Sequence, residues 1–349
     1  MDEQILQKAQ EAIDAKIFPG GVIGYVKTNG ERNILPFGNF TYDAGAQEVK
    51  SDSIFDVASL TKSLATGCLA LKLIDEGKLS VEDKLVDYIP EFSNSDKDTV
   101  LIRHLLTYTI DGYGLASLGD IPPEELHAYI MKHDFNSPPG KVFKYTNIPA
   151  YLLGLVVEKI YGSTLDVLAQ EYFYKPLGMT RTTFHPELLS KEEIVPTEID
   201  NRGIVQGVVH DESAYIFKTK GNKVVGHAGL FSTAGDTLTF LEMLLHKGTF
   251  KGTTYFSEKM IGEMGTNQIE TLGDSTGLGW ELNQPRFMGK NCGPHTFGKT
   301  GFTGTLCVCD VEKGIAYVVL TNRIYPTRPK DASVINAFRA AIGEIIISK

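Results

Sequence analysis

Ser59 and Lys62 stand three positions apart in FDVASLTKSLAT, residues 55–66, where the apolar spacing predicts the start of an amphipathic helix. Residues so spaced share one helical face with Cβ atoms about 5–6 Å apart, close enough for a hydroxyl and an amine to share a proton. A serine hydroxyl is a weak nucleophile at neutral pH until a base stands within hydrogen-bond reach. Lys62 can be that base if its amine is held partly neutral, which desolvation and a nearby positive charge both promote. Lys299, in Lys299-Thr300-Gly301, is the candidate for the second charge. Tyr145, in Tyr145-Thr146-Asn147, offers another route: a phenol whose anion two ammonium groups stabilise can take the Ser59 proton and hand it to a leaving group. The residues alone leave the role open between Lys62 and Tyr145. Asn147 falls on the same side as Tyr145 if the segment is extended, where its amide reaches both Lys62 and a substrate carbonyl. The glycines of FGKTGFTGTLCVCD suit a strand edge that ligand backbone approaches closely. The Phe302 and Ser59 N–H groups are the candidate oxyanion donors.

These residues lie far apart along the chain, so the elements around them must bring them together. GVIGYVKTNG and ERNILPFGNF read as two strands joined through Asn29-Gly30, a hairpin dipeptide, after a first helix that ends at Phe18-Pro19-Gly20-Gly21. From Ser59 the period becomes helical and stops at Gly77. A mostly helical middle follows, with VLIRHLLTYT and NIPAYLLGLVVEKIYG as its clearest segments. After about residue 275 short strands return (GLGWELN, GTLCVCDVE, IAYVVLTNR) before a closing helix, DASVINAFRAAIGEIIIS. This order predicts an α+β fold: an antiparallel sheet built from both chain ends and flanked by terminal helices, with a mostly helical insertion. Residues 1–75 and 265–349 are expected to form the sheet domain and residues 76–264 the helical one, with the active site between them.

Composition narrows the function classes. The 349 residues are 42% apolar and 22% charged with a net charge of −9, and no basic run is present, which argues against a nucleic-acid surface and for a small-molecule or peptide substrate. The acidic N-terminus is unlike a signal peptide and no segment is long enough to span a bilayer, so the expectation is cytoplasmic. Four cysteines make no disulfide framework, and Cys307 and Cys309 read as buried thiols in a strand. The eight histidines are scattered singly, so a metal site is not expected; a metal hydrolase built from His210, Asp211 and His227 is the weaker alternative.

The three motifs, in this order and at these long intervals, resemble those of the serine β-lactamase and penicillin-binding-protein superfamily, especially its class C β-lactamase-like branch of DD-peptidases and esterases. The likeness runs from about residue 18 to 340 through DEGKLSVEDKLVDYIPEF, PPGKVFKYTNIPAYLLGLVVEKIYG, PLGMTRTTF, HAGLFSTAGD and GLGWEL. It implies that Ser59 is the acylated nucleophile, Lys62 its partner, Tyr145 a proton shuttle, Asn147 a polar aide, and Lys299 and Thr300 the residues that meet a substrate carboxylate. It also implies an acyl-enzyme that water opens, without cofactor, on carboxylate-bearing amides or lactams; a carboxylesterase and a slow-turnover penicillin-binding sensor are the alternatives. Where many relatives read Thr-His-Thr-Ser-Gly, this chain reads Thr107-Tyr108-Thr109-Ile110-Asp111-Gly112, so that side of the cleft is expected to be reshaped. Many esterase-like relatives have His in place of the strand lysine, whereas Lys299 here favours acyl donors with a free carboxylate. His210, Asp211 and Glu212 in VVHDESAY resemble a string seen in a peptidase-like subset, yet read as a solvated loop. His227 reads as a structural residue, and Arg323 either holds a carboxylate or caps a strand end.

Overall fold

The computed structural model describes residues 1–94, 96–111, 115, 121–132 and 134–347. Its main sheet has six antiparallel strands: β1 (Gly20–Lys27), β2 (Arg32–Gly38), β3 (Glu281–Leu282), β4 (Phe297–Thr300), β5 (Leu306–Asp310) and β6 (Ile315–Thr321). They lie in the order β2-β1-β6-β5-β4-β3, so the two ends of the chain meet where β1 pairs with β6, Gly21 opposite Thr321 through Lys27 opposite Ile315. The β1–β2 hairpin turns through Asn29-Gly30, with Gly30 at φ +88°, the left-handed conformation glycine adopts without steric cost.

Both faces of the sheet are covered, which is why β1, β5 and β6 read as nearly continuous apolar runs rather than alternating ones. Alternate residues still serve different layers. Ile23, Leu306, Val308, Tyr317 and Val319 pack with helices α1 (Asp2–Asp14) and α6 (Ser333–Ile347). Val22, Val26, Cys307, Cys309, Val318 and Leu320 join the larger core that contains α5 (Ala234–Leu245). Gly24 is needed at that second contact, because a Cβ there would stand 2.6 Å from Leu238. All four cysteines are free thiols.

Two expected boundaries shift. Helix α1 stops at Asp14, and Lys16 turns left-handed at φ +55° before the Pro-Gly segment is reached. The helix expected from Ser59 is not a uniform α-helix: Ala58–Leu60 is a 3₁₀ turn, Lys62–Gly67 is π-helical, and only α2 (Cys68–Asp75) is α. Gly67 permits the wider turn, since a Cβ there would lie 2.7 Å from the Lys62 carbonyl. The middle of the chain contributes α3 (Ile148–Tyr161), which has Pro149 in its first turn and ends at left-handed Gly162, and α4 (Glu212–Gly221). No helix among the described residues is long and apolar enough to cross a membrane.

Candidate active site

The segment that presents Ser59 is held under local constraint. Ala58 takes φ +49°, costly for a residue with a Cβ. The buried Asp56 carboxylate accepts the Ala58 N–H at 2.8 Å, and the Thr303 and Thr305 hydroxyls donate to the Asp56 and Val57 carbonyls at 2.8 and 3.0 Å. These bonds tie the loop before Ser59 to the turn that follows β4. Gly301 is essential to that approach: a Cβ would meet the Thr305 hydroxyl at 2.0 Å and the Val57 carbonyl at 2.5 Å.

Lys62 Nζ lies 2.8 Å from Ser59 Oγ and donates to the His227 carbonyl at 2.8 Å, so the three-residue spacing delivers the contact even through the irregular helix. The side chain is 2% exposed. Burial, aided by the Lys299 charge and opposed by Asp211 and Glu281, lowers its ammonium from the ordinary 10.5 to about 7. A large fraction of the amine is therefore neutral at physiological pH, able to accept the Ser59 proton. Tyr145 is shifted the other way: desolvation raises its phenol above 10, and the Ser59 hydroxyl only partly opposes this. With 40% of the residue open to water the rise is tempered, and the Lys62 and Lys299 ammonium groups, 5.3 and 3.8 Å from the ring centre, also work against it, yet desolvation is the largest influence and keeps the phenol protonated.

Lys299 does not face the cleft as a free cation. It is wholly buried, ion-paired with Glu281, and its ammonium stands 3.8 Å from the centre of the Tyr145 ring and 5.3 Å from that of Tyr108. Its charge is thus spent on a carboxylate and two aromatic faces. Tyr108, left-handed at φ +54° and with its ring 5.0 Å from Tyr145, comes from the variant loop 107–112. Gly112 of that loop lies outside the described residues. Glu281, within the segment GLGWEL, is the residue that sequence reasoning missed; a carboxylate at a strand position is the signal that marked it.

Asn147 starts α3 instead of continuing an extended segment, and its amide nitrogen donates to Asp211 at 3.0 Å rather than engaging Lys62. The expectation that residues 210–212 form a solvated loop fails as well. His210 is 3% exposed, bonded to Glu198 at 2.9 Å and stacked on Phe302 with centroids 5.6 Å apart, while Asp211 caps α4. His227 is buried, consistent with a structural part. Arg323 donates to the Phe302 and Asp331 carbonyls, at 3.0 and 3.1 Å, and also lines the cleft. No group of His, Cys, Asp and Glu among the described residues is arranged to hold a metal ion.

The resulting cleft, about 440 Å³, is lined by Ser59, Tyr145, Asn147, Thr300, Gly301 and Phe302 among others. The Phe302 N–H makes no backbone hydrogen bond among the described residues, whereas the Gly301 N–H is taken by the Thr305 carbonyl at 2.7 Å. The site thus holds a serine on a half-neutral lysine, an uncharged phenol and a backbone donor around one space, the parts that acyl transfer needs.

Comparison with known proteins points the same way. The family model described as Beta-lactamase matches residues 6–341. A protein of Escherichia coli (strain K12) named "Putative D-alanyl-D-alanine carboxypeptidase" is 31% identical over 315 residues, 79% of this chain and 71% of that protein. The "N-acetylmuramyl-L-alanine amidase" of Bacillus subtilis (strain 168) is 29% identical over 365 residues, covering 91% of this chain and 81% of its own. Among solved structures, "EstCE1, a hydrolase with promiscuous acyltransferase activity" superposes with a TM-score of 0.76 at 19% identity, covering 98% of each chain. The octameric penicillin-binding protein homologue from Pyrococcus abyssi gives 0.76 at 22% identity, over 99% of this chain and 77% of that one.

Proposed function

From the premise that this chain belongs to the beta-lactamase family, we propose that it is a serine hydrolase whose Ser59 is acylated by carboxylate-bearing amides or lactams, with D-alanyl peptides as the first substrates to try. The observation that carries this reading is the 2.8 Å contact between Ser59 and an almost wholly buried Lys62. In the proposed sequence neutral Lys62 takes the hydroxyl proton as Ser59 Oγ attacks the acyl carbon. The Ser59 and Phe302 N–H groups hold the oxyanion. The proton then returns, through the neutral Tyr145 hydroxyl, to the departing nitrogen, and water opens the acyl-enzyme.

Preference for a free carboxylate has a different basis from the one expected of Lys299, whose charge Glu281 neutralises. Thr300, Arg323 and Arg339 are among the residues that line the cleft, and the groups these arginines donate to are uncharged: backbone carbonyls and, for Arg339, the Asn336 side chain. The same Lys299–Glu281 pairing favours a second reading, a carboxylesterase for neutral acyl donors.

Intact-mass spectrometry after brief exposure to a D-alanyl-D-alanine peptide, a cephalosporin and a nitrophenyl ester tests both. A mass increment on wild-type protein that Ser59→Ala lacks is expected, and the donor that gives it separates the two readings. Full adduct formation or turnover by Ser59→Ala would end the proposal.

A further inference from the structure

Asp211 joins parts of the site that come from different segments. Its Oδ2 accepts the Asn147 amide at 3.0 Å. Its Oδ1 accepts the Ala214 N–H at 2.9 Å and the Ser213 hydroxyl at 2.6 Å, capping α4. His227 Nε2 lies 2.9 Å from that hydroxyl and 3.3 Å from Asp211 Oδ1, and the His227 carbonyl is one of the two groups holding Lys62 Nζ. The turn carrying that carbonyl has little freedom, since Thr66 donates to the Gly226 carbonyl at 2.8 Å and a Cβ on Gly226 would meet the Ala150 carbonyl at 2.2 Å.

A carboxylate accepts hydrogen bonds and cannot donate them. Asp211 therefore dictates which way Asn147 points: nitrogen toward Asp211, carbonyl oxygen on the opposite branch of an amide that lines the cleft. That oxygen is an acceptor suited to a substrate N–H. We infer that Asp211 is a positioning residue for acylation, fixing the carbonyl of Asn147 for amide-type acyl donors and placing a permanent negative charge beside the Lys62 pocket. This inference rests on the proposed acylation of Ser59. The other groups facing Lys62 are Ser59, Tyr145, Lys299 and Glu281; of the charges, Lys299 favours the neutral amine and Asp211 and Glu281 oppose it.

Asp211→Asn isolates this role from capping, because Asn serves as an N-cap about as well as Asp. Acylation rates of wild type and variant are compared between pH 5 and 9, using a D-alanyl peptide and a fluorophosphonate that has no N–H to offer. The expected result is an unfolding temperature close to wild type, a loss of about tenfold for the peptide on the high-pH plateau, the energy of a charge-assisted hydrogen bond, and no loss for the fluorophosphonate. The acid limb of the pH profile should move to lower pH, since removing a negative charge makes Lys62 easier to deprotonate. Unchanged rates, or equal losses for both probes with an unmoved acid limb, would overturn the inference. Ser59→Ala run alongside separates this from failure of the acylation proposal itself, which would leave adduct formation intact in that control.

Discussion

The sharpest prediction concerns the protonation of Lys62. Burial next to Lys299 brings its ammonium from 10.5 to about 7. At pH 7 roughly half of the molecules then carry a neutral amine, against about one in 3,000 for an unperturbed lysine, a difference of about 5 kcal/mol. If that amine is the base, the rate of adduct formation with a fluorophosphonate should climb with pH through a midpoint near 7 and level off by about pH 9. Lys62→Arg keeps a cation there, and a guanidinium does not deprotonate in this range, so its rate should be lower by about a thousandfold and should not recover at high pH. Quenched-flow mixing read by intact mass measures both. A wild-type rate that is flat from pH 5 to 9, or that still rises beyond pH 9, would refute the assignment and return the role to Tyr145.

Three further outcomes follow, two from Glu281 and one from His104. Glu281→Gln should release the Lys299 charge and raise the ratio of kcat/KM for a carboxylate-bearing donor over a neutral nitrophenyl ester by about tenfold, and an unchanged ratio would rule out Glu281 as a determinant of selectivity. Glu281→Ala should cost about 3–5 kcal/mol in urea unfolding, as for any buried pair that loses one partner. His104 accepts the Leu101 N–H through Nδ1 at 3.1 Å, and burial lowers its imidazolium from 6.5 to about 4. The neutral ring is the folded form, so its stabilisation is complete above pH 6.5 and is lost as the pH falls toward 4. His104→Asn should show a shallower decline over that window in urea unfolding, and parallel wild-type and variant curves would count against the linkage.

Much of the fold was legible because both hydrophobic periods are strong: the Asn29-Gly30 hairpin and the apolar runs of β5 and β6 stand where the pattern put them. Ser59 and Lys62 were readable from local spacing, which survives the change from α to π geometry. What the pattern concealed is long-range pairing. Glu281 lies in a short strand and gives no hint of Lys299 until β3 and β4 are paired, with Glu281 opposite Gly298. Asp211 and His210 look like loop residues because their partners, Asn147 and Glu198, come from other parts of the chain. Asn147 was placed in extended backbone because nothing before Pro149 signals that the helix has already begun.

The pairing of β1 with β6 also bears on the chain as it leaves the ribosome. The β1–β2 hairpin is made well before its sheet neighbour β6, so one hydrogen-bonding edge of β1 waits uncovered in between. Ser59 and Lys62 are close in sequence, but the burial that lowers the Lys62 ammonium, and the Lys299 charge that aids it, come only when later segments pack around them. If Lys62 is the base proposed above, Ser59 gains its activating partner only once β4, which carries Lys299, has been made and has docked.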